Sequence, residues 1–368
     1  MGRRPGPVEA MVIDPSFWRD RRVFLTGHTG FKGGWMALLL HRLGAEVHGF
    51  ALPPTAHDGL FEAARVGTVL RRHRIGDVRD LDLLAMELRR AEPEIVIHMA
   101  AQALVRRSYA DPVETYAVNV MGTVHLLEAV RRTPGVRGVV VVTSDKCYEN
   151  VGQTAGYGED ARLGGYDPYS SSKGCAELVT EAYRRSFFPA DRRCRIASAR
   201  AGNVLGGGDW SEDRLVPDAI RAFASHRTLH IRNPDAVRPW QHVIDPLIGY
   251  LALAQRLVDG GDDFAGGWNF GPPAGSEVPV KTIVDRLVAA WGGDARWEPD
   301  PGSRPHEAAY LRLDSTKAAR RLGWHPFFDL DGALEATVAW YRDQIGGADM
   351  RERSEGQIEA LLRAELVG

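Results

Sequence analysis

The sequence predicts an α/β fold of the Rossmann type, a doubly wound parallel sheet with a smaller C-terminal substrate-binding region. Three observations support this prediction. Short apolar runs alternate with helical patterns up to about residue 200. A glycine-rich turn joins the first of these runs to the first helical pattern. The run Gly138–Val142 (GVVVV) contains no polar side chain, as expected for a strand that is buried on both faces.

The elements of the first half follow in order from two patterns. Apolar runs bounded by turn residues predict strands, and apolar residues at helical spacing predict helices. The predicted strands are 22–26, 46–52, 95–99, 138–142 and 195–198. The predicted helices are 33–43, 111–132 and 169–187. The second helix opens with Asp111 as its cap and Pro112 in its first turn.

The chain divides into four predicted segments. Residues 1–15 carry Arg, Pro and Gly without an apolar core, which predicts a disordered lead-in and excludes a secretory signal. Residues 16–200 are predicted to form the Rossmann domain. Residues 201–346 are predicted to form the substrate-binding region, from which segments such as 268–270 return to the sheet. Residues 347–368 show apolar side chains at helical spacing and predict a C-terminal helix.

Composition and charge exclude several classes of protein. The chain has 368 residues, of which 44% are apolar and 26% are charged. Its net charge of −2 does not indicate binding to nucleic acid or to an acidic membrane surface. No apolar run reaches the length of a membrane helix. The three cysteines, without CxxC spacing, argue against a disulfide framework and a zinc site. We therefore expect a cytoplasmic protein without a metal centre, a membrane anchor or a nucleic acid partner.

A GxxGxxG motif follows the first predicted strand and opens the first helix. Gly27 would permit a tight turn, Gly30 would let the backbone approach a pyrophosphate, and Gly33 would let the helix pack close to the strand. The phosphates would then meet the free N–H groups of the helix N-terminus. The motif predicts a nicotinamide dinucleotide site that also includes Thr29, Phe31 and Lys32. A plain strand-to-helix turn is the alternative.

The adenine side of this site is less well defined by the sequence. An acidic residue at the end of the second strand usually binds the adenine ribose, but that strand ends in Phe50, Ala51 and Leu52. The choice between NAD and NADP therefore stays open from the residues alone. Asp77 and Val78 lie where a loop after the third strand would hold the adenine. Asp77 would accept from the adenine amino group, unless it is only a turn residue.

Two groups of polar residues predict proton chemistry near this cofactor. Tyr169 and Lys173 would lie on one helix face, where the ammonium and the nicotinamide would lower the pKa of the phenol. The tyrosine could then remove a hydroxyl proton as hydride leaves the same carbon. Ser144, Asp145 and Lys146 follow the GVVVV strand, whose carboxyl end faces the same crevice. The alternatives are a packing tyrosine beside an exposed lysine, and a helix-cap cluster.

These motifs resemble those of the extended short-chain dehydrogenase/reductase superfamily and, within it, the nucleotide-sugar dehydratases. The resemblance covers about residues 16–345 and is greatest to the dehydratases that act on CDP-glucose. The glycine-rich TGHTGFKG and the Ser-Asp-Lys triplet are its most specific stretches. Related dTDP-glucose and GDP-mannose dehydratases carry Glu where this chain has Lys146. Further matching stretches are RAGNVLGGGDW (200–210), RPWQHV (238–243) and DPGSRPHE (300–307).

The resemblance implies an NAD-dependent reaction with no net redox change. Tyr169, helped by Lys173 and Ser144, would take the C4 hydroxyl proton while hydride passes to NAD⁺. Lys146 would then remove the C5 proton. Asp145 would protonate the departing C6 hydroxyl, and hydride would return to C6.

The resemblance also implies binding contacts and an oligomeric state. Ala100 and Ala101 would give the nicotinamide side of the cofactor room. A homodimer would form through helices 111–132 and 170–187. The implied substrate contacts are Gln102, Asn203, Arg238, which would pair with the diphosphate, and Arg304. Each arginine has a solvated surface charge as its alternative.

Three other functions remain open at this point. An epimerase or reductase acting on a nucleotide sugar would need Tyr169 and Lys173 but no acid/base pair for elimination. A dehydratase could also act on a different nucleotide sugar. A dinucleotide-sensing protein without turnover belongs to another class, and such proteins usually lack the tyrosine or the lysine.

Overall fold

The structure is a computed structural model that describes residues 12–189, 194–273, 275–300 and 311–367. The strands are β1 (Arg22–Thr26), β2 (Glu46–Ala51), β3 (Arg72–Ile75), β4 (Ile95–His98), β5 (Gly138–Val142), β6 (Arg195–Ala201), β7 (Asn203–Leu205), β8 (Leu229–Ile231), β9 (Val237–His242), β10 (Gly266–Phe270), β11 (Glu277–Pro279) and β12 (Trp297–Pro299). The helices are α1 (Pro15–Trp18), α2 (Phe31–Arg42), α3 (Leu60–Ala63), α4 (Leu81–Ala91), α5 (Val105–Ala110), α6 (Pro112–Tyr116), α7 (Gly122–Arg131), α8 (Pro168–Phe187), α9 (Leu215–Ala224), α10 (Ile244–Asp259), α11 (Val280–Trp291), α12 (Thr316–Leu322), α13 (Leu330–Ile345) and α14 (Met350–Val367).

Seven parallel strands form the central sheet in the order β10-β6-β5-β4-β1-β2-β3. The chain winds outward from β1 in both directions, so the direction of winding changes between β1 and β4. Helices cover both faces, and every residue of β5 is buried, as its uninterrupted valines predict. The predicted doubly wound α/β fold is therefore confirmed. Ligands of such sheets bind outside the carboxyl ends of the strands near this switch point.

The predicted helix 111–132 is wrong as a single element. The structure divides it into α6, a turn of π-helix at Ala117–Met121, and α7. The wide turn carries the buried Asn119, whose amide bonds both the N–H and the carbonyl of Gln102. Single-turn π-helices of this kind are frequent near functional sites.

The second half of the chain adds two small sheets, β11-β9-β7 and β12-β8. As predicted, one segment returns to the main sheet, where β10 pairs with β6. The predicted C-terminal helix is α14, and it packs on α2 and α13 through the buried Ile358 and Leu361. Among the described residues, no helix has both the length and the apolar character needed to cross a membrane.

The predicted disordered lead-in is too long at its C-terminal end. Residues 1–11 lie outside the described part of the chain. Ile13 is buried, and Asp14 caps α1 by accepting from the N–H of Ser16 at 2.8 Å. Phe17 and Trp18 of the same short helix are buried as well, so α1 belongs to the core.

Candidate active site

A cleft of about 1030 Å³ opens at the carboxyl ends of the central strands. Residues of β5, β6, β7, β9, α8 and α9 line this cleft. Parallel strands end at one edge of a sheet, which explains why residues distant in sequence meet here. Nine of the residues singled out from the sequence line this cleft: Lys32, Ala101, Ser144, Asp145, Lys146, Tyr169, Lys173, Asn203 and Arg238.

The glycine-rich turn next to the cleft has the geometry that a dinucleotide needs. Gly27 adopts a φ of 80°, and a Cβ there would lie 2.8 Å from the backbone nitrogen of Ala100. A Cβ on Gly33 would lie 2.1 Å from the carbonyl oxygen of Gly27. Gly30 is the N-cap of α2, and no side chain caps this helix. An open helix N-terminus behind a glycine turn fits a pyrophosphate.

The other residues of this turn have separate contacts. The hydroxyl of Thr29 donates to the carbonyl of Leu52 at 2.8 Å, which ties the turn to the end of β2. Phe31 is half-buried and begins α2. Lys32 reaches the substrate cleft, where its Nζ donates to the hydroxyl of Tyr250 at 3.4 Å. Burial lowers the pKa of Lys32 to about 7. The predicted cofactor contacts of these three residues remain predictions.

Asp77 and Val78 follow β3, as the sequence predicted. Both carboxylate oxygens of Asp77 accept from the guanidinium of Arg79, and this contact lowers the pKa of Asp77. Val78 is buried, and its carbonyl accepts from Nδ1 of His125 at 3.0 Å. Strand β2 ends without a carboxylate. An adenine contact by Asp77 remains a prediction, and it would have to share the carboxylate with Arg79.

The segment after β4 passes beside the glycine-rich turn. The hydroxyl oxygen of Thr26 accepts from the backbone N–H groups of Met99 and Ala100, each at 3.1 Å. The same oxygen lies 2.7 Å from Nδ1 of His98, whose burial lowers its pKa to about 3 and keeps the imidazole neutral. Ala101 lines the cleft. This geometry leaves room above the small side chains of residues 100 and 101, which is consistent with the predicted nicotinamide side.

Gln102 is committed to contacts within the protein. Its side-chain oxygen accepts from the N–H of Leu104 at 2.6 Å, and its side-chain nitrogen donates to Thr115 Oγ1 at 2.9 Å. Its backbone is held by Asn119, which also donates to Ser172 Oγ on α8. The arrangement gives Gln102 a role in fixing the loop after β4. The predicted substrate contact remains a prediction that this arrangement does not support.

The turn after β5 places an acid and an amine side by side. Ser144 Oγ donates to Asp145 Oδ1 at 2.9 Å, and Lys146 Nζ lies 3.8 Å from the same oxygen. The Asp145 side chain is 2% exposed, and its Oδ2 is buried without a hydrogen-bond partner. A Cβ on Gly202 would lie 2.9 Å from this Oδ2, so the backbone of the next strand closes over it. Oδ1 thus accepts a hydrogen bond, whereas Oδ2 has no hydrogen-bond partner among the described residues.

Tyr169 lies at the start of α8, where its backbone N–H donates to Ser108 Oγ at 3.1 Å. Burial raises the pKa of Tyr169 to about 12, while a hydrogen bond with Ser144 and the charge of Arg214 act in the opposite direction. In the protein chain by itself burial thus outweighs the favourable contacts, and a pKa lowered by the ammonium together with the bound nicotinamide remains a prediction. The cation that assists the phenol here is Arg214, and the sequence did not single it out.

Lys173 lies one turn after Tyr169 on α8, as the sequence predicted, and is 5% exposed. Burial lowers the pKa of Lys173 to about 8, and the negative charge of Glu177 opposes that change. The ammonium therefore remains largely protonated at neutral pH. A protonated Lys173 in a water-poor wall of the cleft is suited to hold hydroxyl groups of a ligand near the phenol.

Arg214 is a site residue that the sequence analysis missed. It follows the stretch 200–210, and no motif marks it. Its guanidinium donates to the buried Asp209 at 2.9 Å, and it lines the cleft close enough to influence the pKa values of Tyr169 and Lys32. The ion pair with Asp209 holds a fixed positive charge beside the phenol.

Asn203 on β7 and Arg238 on β9 also line the cleft. The guanidinium of Arg238 donates to the carbonyl of Val237 at 3.0 Å. The predicted substrate contacts of both residues remain predictions. Arg304 lies outside the described residues.

Comparison with known proteins agrees with this geometry. A CDP-glucose 4,6-dehydratase of Salmonella typhimurium is 50% identical over 357 residues, 96% of this chain and 99% of the relative. A UDP-glucose 4-epimerase of Mycolicibacterium smegmatis is 29% identical over 88% of this chain and 99% of the relative. The structure of dTDP-glucose 4,6-dehydratase from Streptomyces venezuelae with NAD and TYD bound has a TM-score of 0.75 and 27% identity, covering 89% of this chain and 99% of the solved chain. The model of the NAD dependent epimerase/dehydratase family matches residues 23–265, and the chain belongs to this family.

Proposed function

We propose that this protein acts as a CDP-glucose 4,6-dehydratase, which converts CDP-D-glucose to CDP-4-dehydro-6-deoxy-D-glucose and water with NAD as cofactor. One observation carries the proposal: groups suited to both halves of the reaction meet in one cleft. Tyr169, in a hydrogen bond with Ser144, serves the oxidation. Asp145 accepts from the same Ser144 and has Lys146 3.8 Å away, which supplies an acid and a base for the elimination.

Tyr169 starts the reaction by removing the proton of the C4 hydroxyl. NAD, held at Gly27–Gly33, supplies the hydride acceptor at C4 and the hydride donor at C6. Arg214 favours the phenolate that must form, since a nearby positive charge stabilises the anion, and Ser144 does the same when its one hydroxyl proton turns from Asp145 to the phenol oxygen. Lys173 adds a second positive charge on the same helix face.

The elimination uses the turn after β5. A ketone at C4 acidifies the C5 proton, and Lys146 is the amine placed to take it. Asp145 delivers a proton to the C6 oxygen as the carbon–oxygen bond breaks, and water leaves. Lys146 returns its proton to C5 when C6 is reduced. The proton that Tyr169 took from the C4 hydroxyl passes through Ser144, which neighbours both residues, and restores the acid form of Asp145.

A direct test is turnover of CDP-, dTDP-, UDP- and GDP-glucose with NAD⁺ and NADP⁺. The choice of CDP-glucose is supported by the 50% identity to the relative of that name. We expect the 4-keto-6-deoxy product, detected by its absorbance in alkali, from CDP-glucose with NAD⁺. Product from another nucleotide sugar alone would refute the substrate assignment.

A 4-epimerase is the second candidate, because it would use Tyr169 and Lys173 in the same way. A UDP-glucose 4-epimerase is among the relatives of this chain. The pair of Asp145 and Lys146 favours the dehydratase, since epimerisation needs no acid/base pair for loss of water. An epimerised sugar without a keto product in the same assay would favour the epimerase.

We also infer a homodimer. Apolar side chains are exposed on the neighbouring helices α6 and α8, where Val113 is 77% exposed and Leu178 is 58% exposed. Helices α7 and α8 pack against each other beside these residues, so the surface is continuous. Leu178→Glu should convert the dimer to a monomer in light scattering. Ile345→Glu, on the equally exposed α13 side chain, should leave it dimeric. A monomeric wild-type protein would contradict this inference.

A cytoplasmic location is our further expectation. Cys147, Cys175 and Cys194 are all free thiols. Free cysteines suit a reducing compartment, where nucleotide sugars for deoxysugar biosynthesis would also be supplied.

A further inference from the structure

We propose that Glu177, paired with Arg200, is a positioning residue that fixes Ser144 and Lys173 for proton transfer at Tyr169. The proposal rests on the proposed function, because it assigns a role in the same reaction. Neither residue lines the cleft, so the pair acts through its neighbours.

Glu177 connects three elements, α8, β6 and the end of β5, behind the residues that line the cleft. It is 3% exposed and lies on α8, one turn after Lys173. Its Oε1 accepts from the hydroxyl of Thr143, the residue that immediately precedes Ser144. Its Oε2 accepts from Ser198 Oγ on β6 at 2.6 Å. One carboxylate therefore joins the helix that carries Lys173 to the ends of β5 and β6.

Arg200 completes this arrangement from β6. Its guanidinium is 6% exposed and donates to Glu177 Oε2 at 2.7 Å. The other terminal nitrogen donates to the hydroxyl of Tyr148 at 2.6 Å and to the carbonyl of Glu159 at 3.1 Å. Burial of a lone carboxylate or a lone guanidinium costs free energy of desolvation. The ion pair that the two groups form here has no net charge. The pair thus anchors the turn after β5 from both ends, since Tyr148 directly follows the catalytic triplet and Cys147.

A buried ion pair is by itself weak evidence for a stabilising role. The location of the Glu177–Arg200 pair indicates a functional role. Glu177 accepts from Thr143, the residue before Ser144, and lies on α8 one turn after Lys173. Replacement by apolar residues could preserve the fold while it loosens both catalytic groups. Hydrogen bonds that orient catalytic side chains from behind typically affect the rate more than they affect stability.

The charge of Glu177 also acts on Lys173. The titratable groups that face Lys173 are Glu177 on α8, Cys147 after β5, His98 on β4 and Lys32 on α2. Burial raises the pKa of the Cys147 thiol, so this group is neutral, and His98 is neutral as well. Glu177 is therefore the acidic side chain among these groups that acts on Lys173. It opposes the burial that lowers the pKa of Lys173 to about 8.

The experiment compares Glu177→Gln with the double variant Glu177→Gln/Arg200→Met. The single variant leaves the buried Arg200 guanidinium without its carboxylate partner and can fail to fold. The double variant removes both charges and therefore leaves no unpaired buried charge. Glu181→Gln is the matched control, because Glu181 lies one turn further along α8, is 41% exposed and pairs with Arg184. Lys173 is titrated by nitrogen-15 NMR of labelled lysine side chains, and the rate of nicotinamide reduction by CDP-glucose is followed against pH.

We expect the pKa of Lys173 to fall in the double variant and to stay unchanged in Glu181→Gln. The alkaline limb of the rate profile should move to lower pH, with the reduction rate at the wild-type optimum falling roughly tenfold or more and the KM for CDP-glucose nearly unchanged. An unchanged Lys173 titration would overturn the positioning role, even if stability fell. The titration needs no turnover. Failure of wild-type turnover would therefore refute the proposed function, and an unmoved titration would refute this inference.

Discussion

Gly33 lies so close to Gly27 that a Cβ on Gly33 would come within 2.1 Å of the Gly27 carbonyl oxygen. A carbon and an oxygen atom at this distance overlap severely. The carbonyl oxygen belongs to the backbone of the turn and cannot easily move away. Helix α2 can therefore reach the turn after β1 only with glycine at position 33. For a Cβ at Gly30 the one close atom among the described residues is the same carbonyl oxygen, at 3.4 Å, which is an ordinary contact. Two glycines of one motif thus answer different physical needs.

The first prediction separates these needs. Gly33→Ala should lower the free energy of unfolding by about 2–3 kcal/mol or more, because the helix must move away from the turn. Gly30→Ala should unfold like the wild type but bind NAD⁺ roughly tenfold more weakly, because its methyl group obstructs the pyrophosphate. Urea unfolding and equilibrium binding measure the two effects. Wild-type NAD⁺ affinity in Gly30→Ala would show that this glycine does not serve the cofactor.

Much of the fold could be predicted because apolar runs mark buried parallel strands. The bounds of β1 and β5 match the predicted 22–26 and 138–142. Strand β3 was expected before Asp77 but could not be placed. Its sequence RHRI is mostly polar, since it forms the edge of the sheet and its side chains are largely exposed. The π-turn near Asn119 was also hidden, because it depends on a contact with a loop distant in sequence.

The candidate site divides in a similar way. Ser144 and Tyr169 could be predicted because each belongs to a short motif beside a predicted element. Arg214 and Glu177 could not, because each acquires its role from a partner that only folding brings near. Arg214 depends on Asp209 in the preceding loop, and Glu177 depends on contacts across three elements. Residue type and spacing carry no information on such pairs.

The second prediction concerns the phenol. Tyr169→Phe keeps the buried ring but removes the only atom that can take the C4 hydroxyl proton from this position. Nicotinamide reduction by CDP-glucose should fall by roughly 10²–10⁴-fold, while NAD⁺ affinity changes little. Single-turnover absorbance measures the reduction. Tyr183→Phe on the same helix is the control and should reduce NAD⁺ at the wild-type rate. Equal rates in both variants would remove Tyr169 from the mechanism.

The third prediction concerns the acid. Asp145→Asn preserves an oxygen that can accept from Ser144 but removes the acidic proton, so water loss should slow by roughly 10²-fold. Reduced nicotinamide should then accumulate on the enzyme, because oxidation at C4 precedes the affected step. The measurement follows nicotinamide absorbance and keto-sugar release in the same reaction. Normal release of the 4-keto-6-deoxy product would refute the acid role.

The fourth prediction concerns pH and Lys32. Burial, followed by the charge of Arg214, lowers the pKa of Lys32 from its ordinary 10.5 to about 7. Between these two pH values the unfolded chain binds more protons than the folded chain, so the contribution of Lys32 to stability improves as pH rises through this range. Below about pH 7 both states are protonated, and the folded state carries the full cost of a buried charge.

Lys32→Met should therefore be more stable than the wild type near pH 6, by an amount of the order of a few kcal/mol, and the difference should shrink toward pH 10. Urea unfolding of both proteins across this range, without cofactor, measures the difference, in which most other titrations cancel. A difference that is independent of pH would mean that the cleft accommodates the ammonium without cost. The result bears on the reaction as well, because a neutral Lys32 leaves Arg214 as the cation that lowers the pKa of Tyr169.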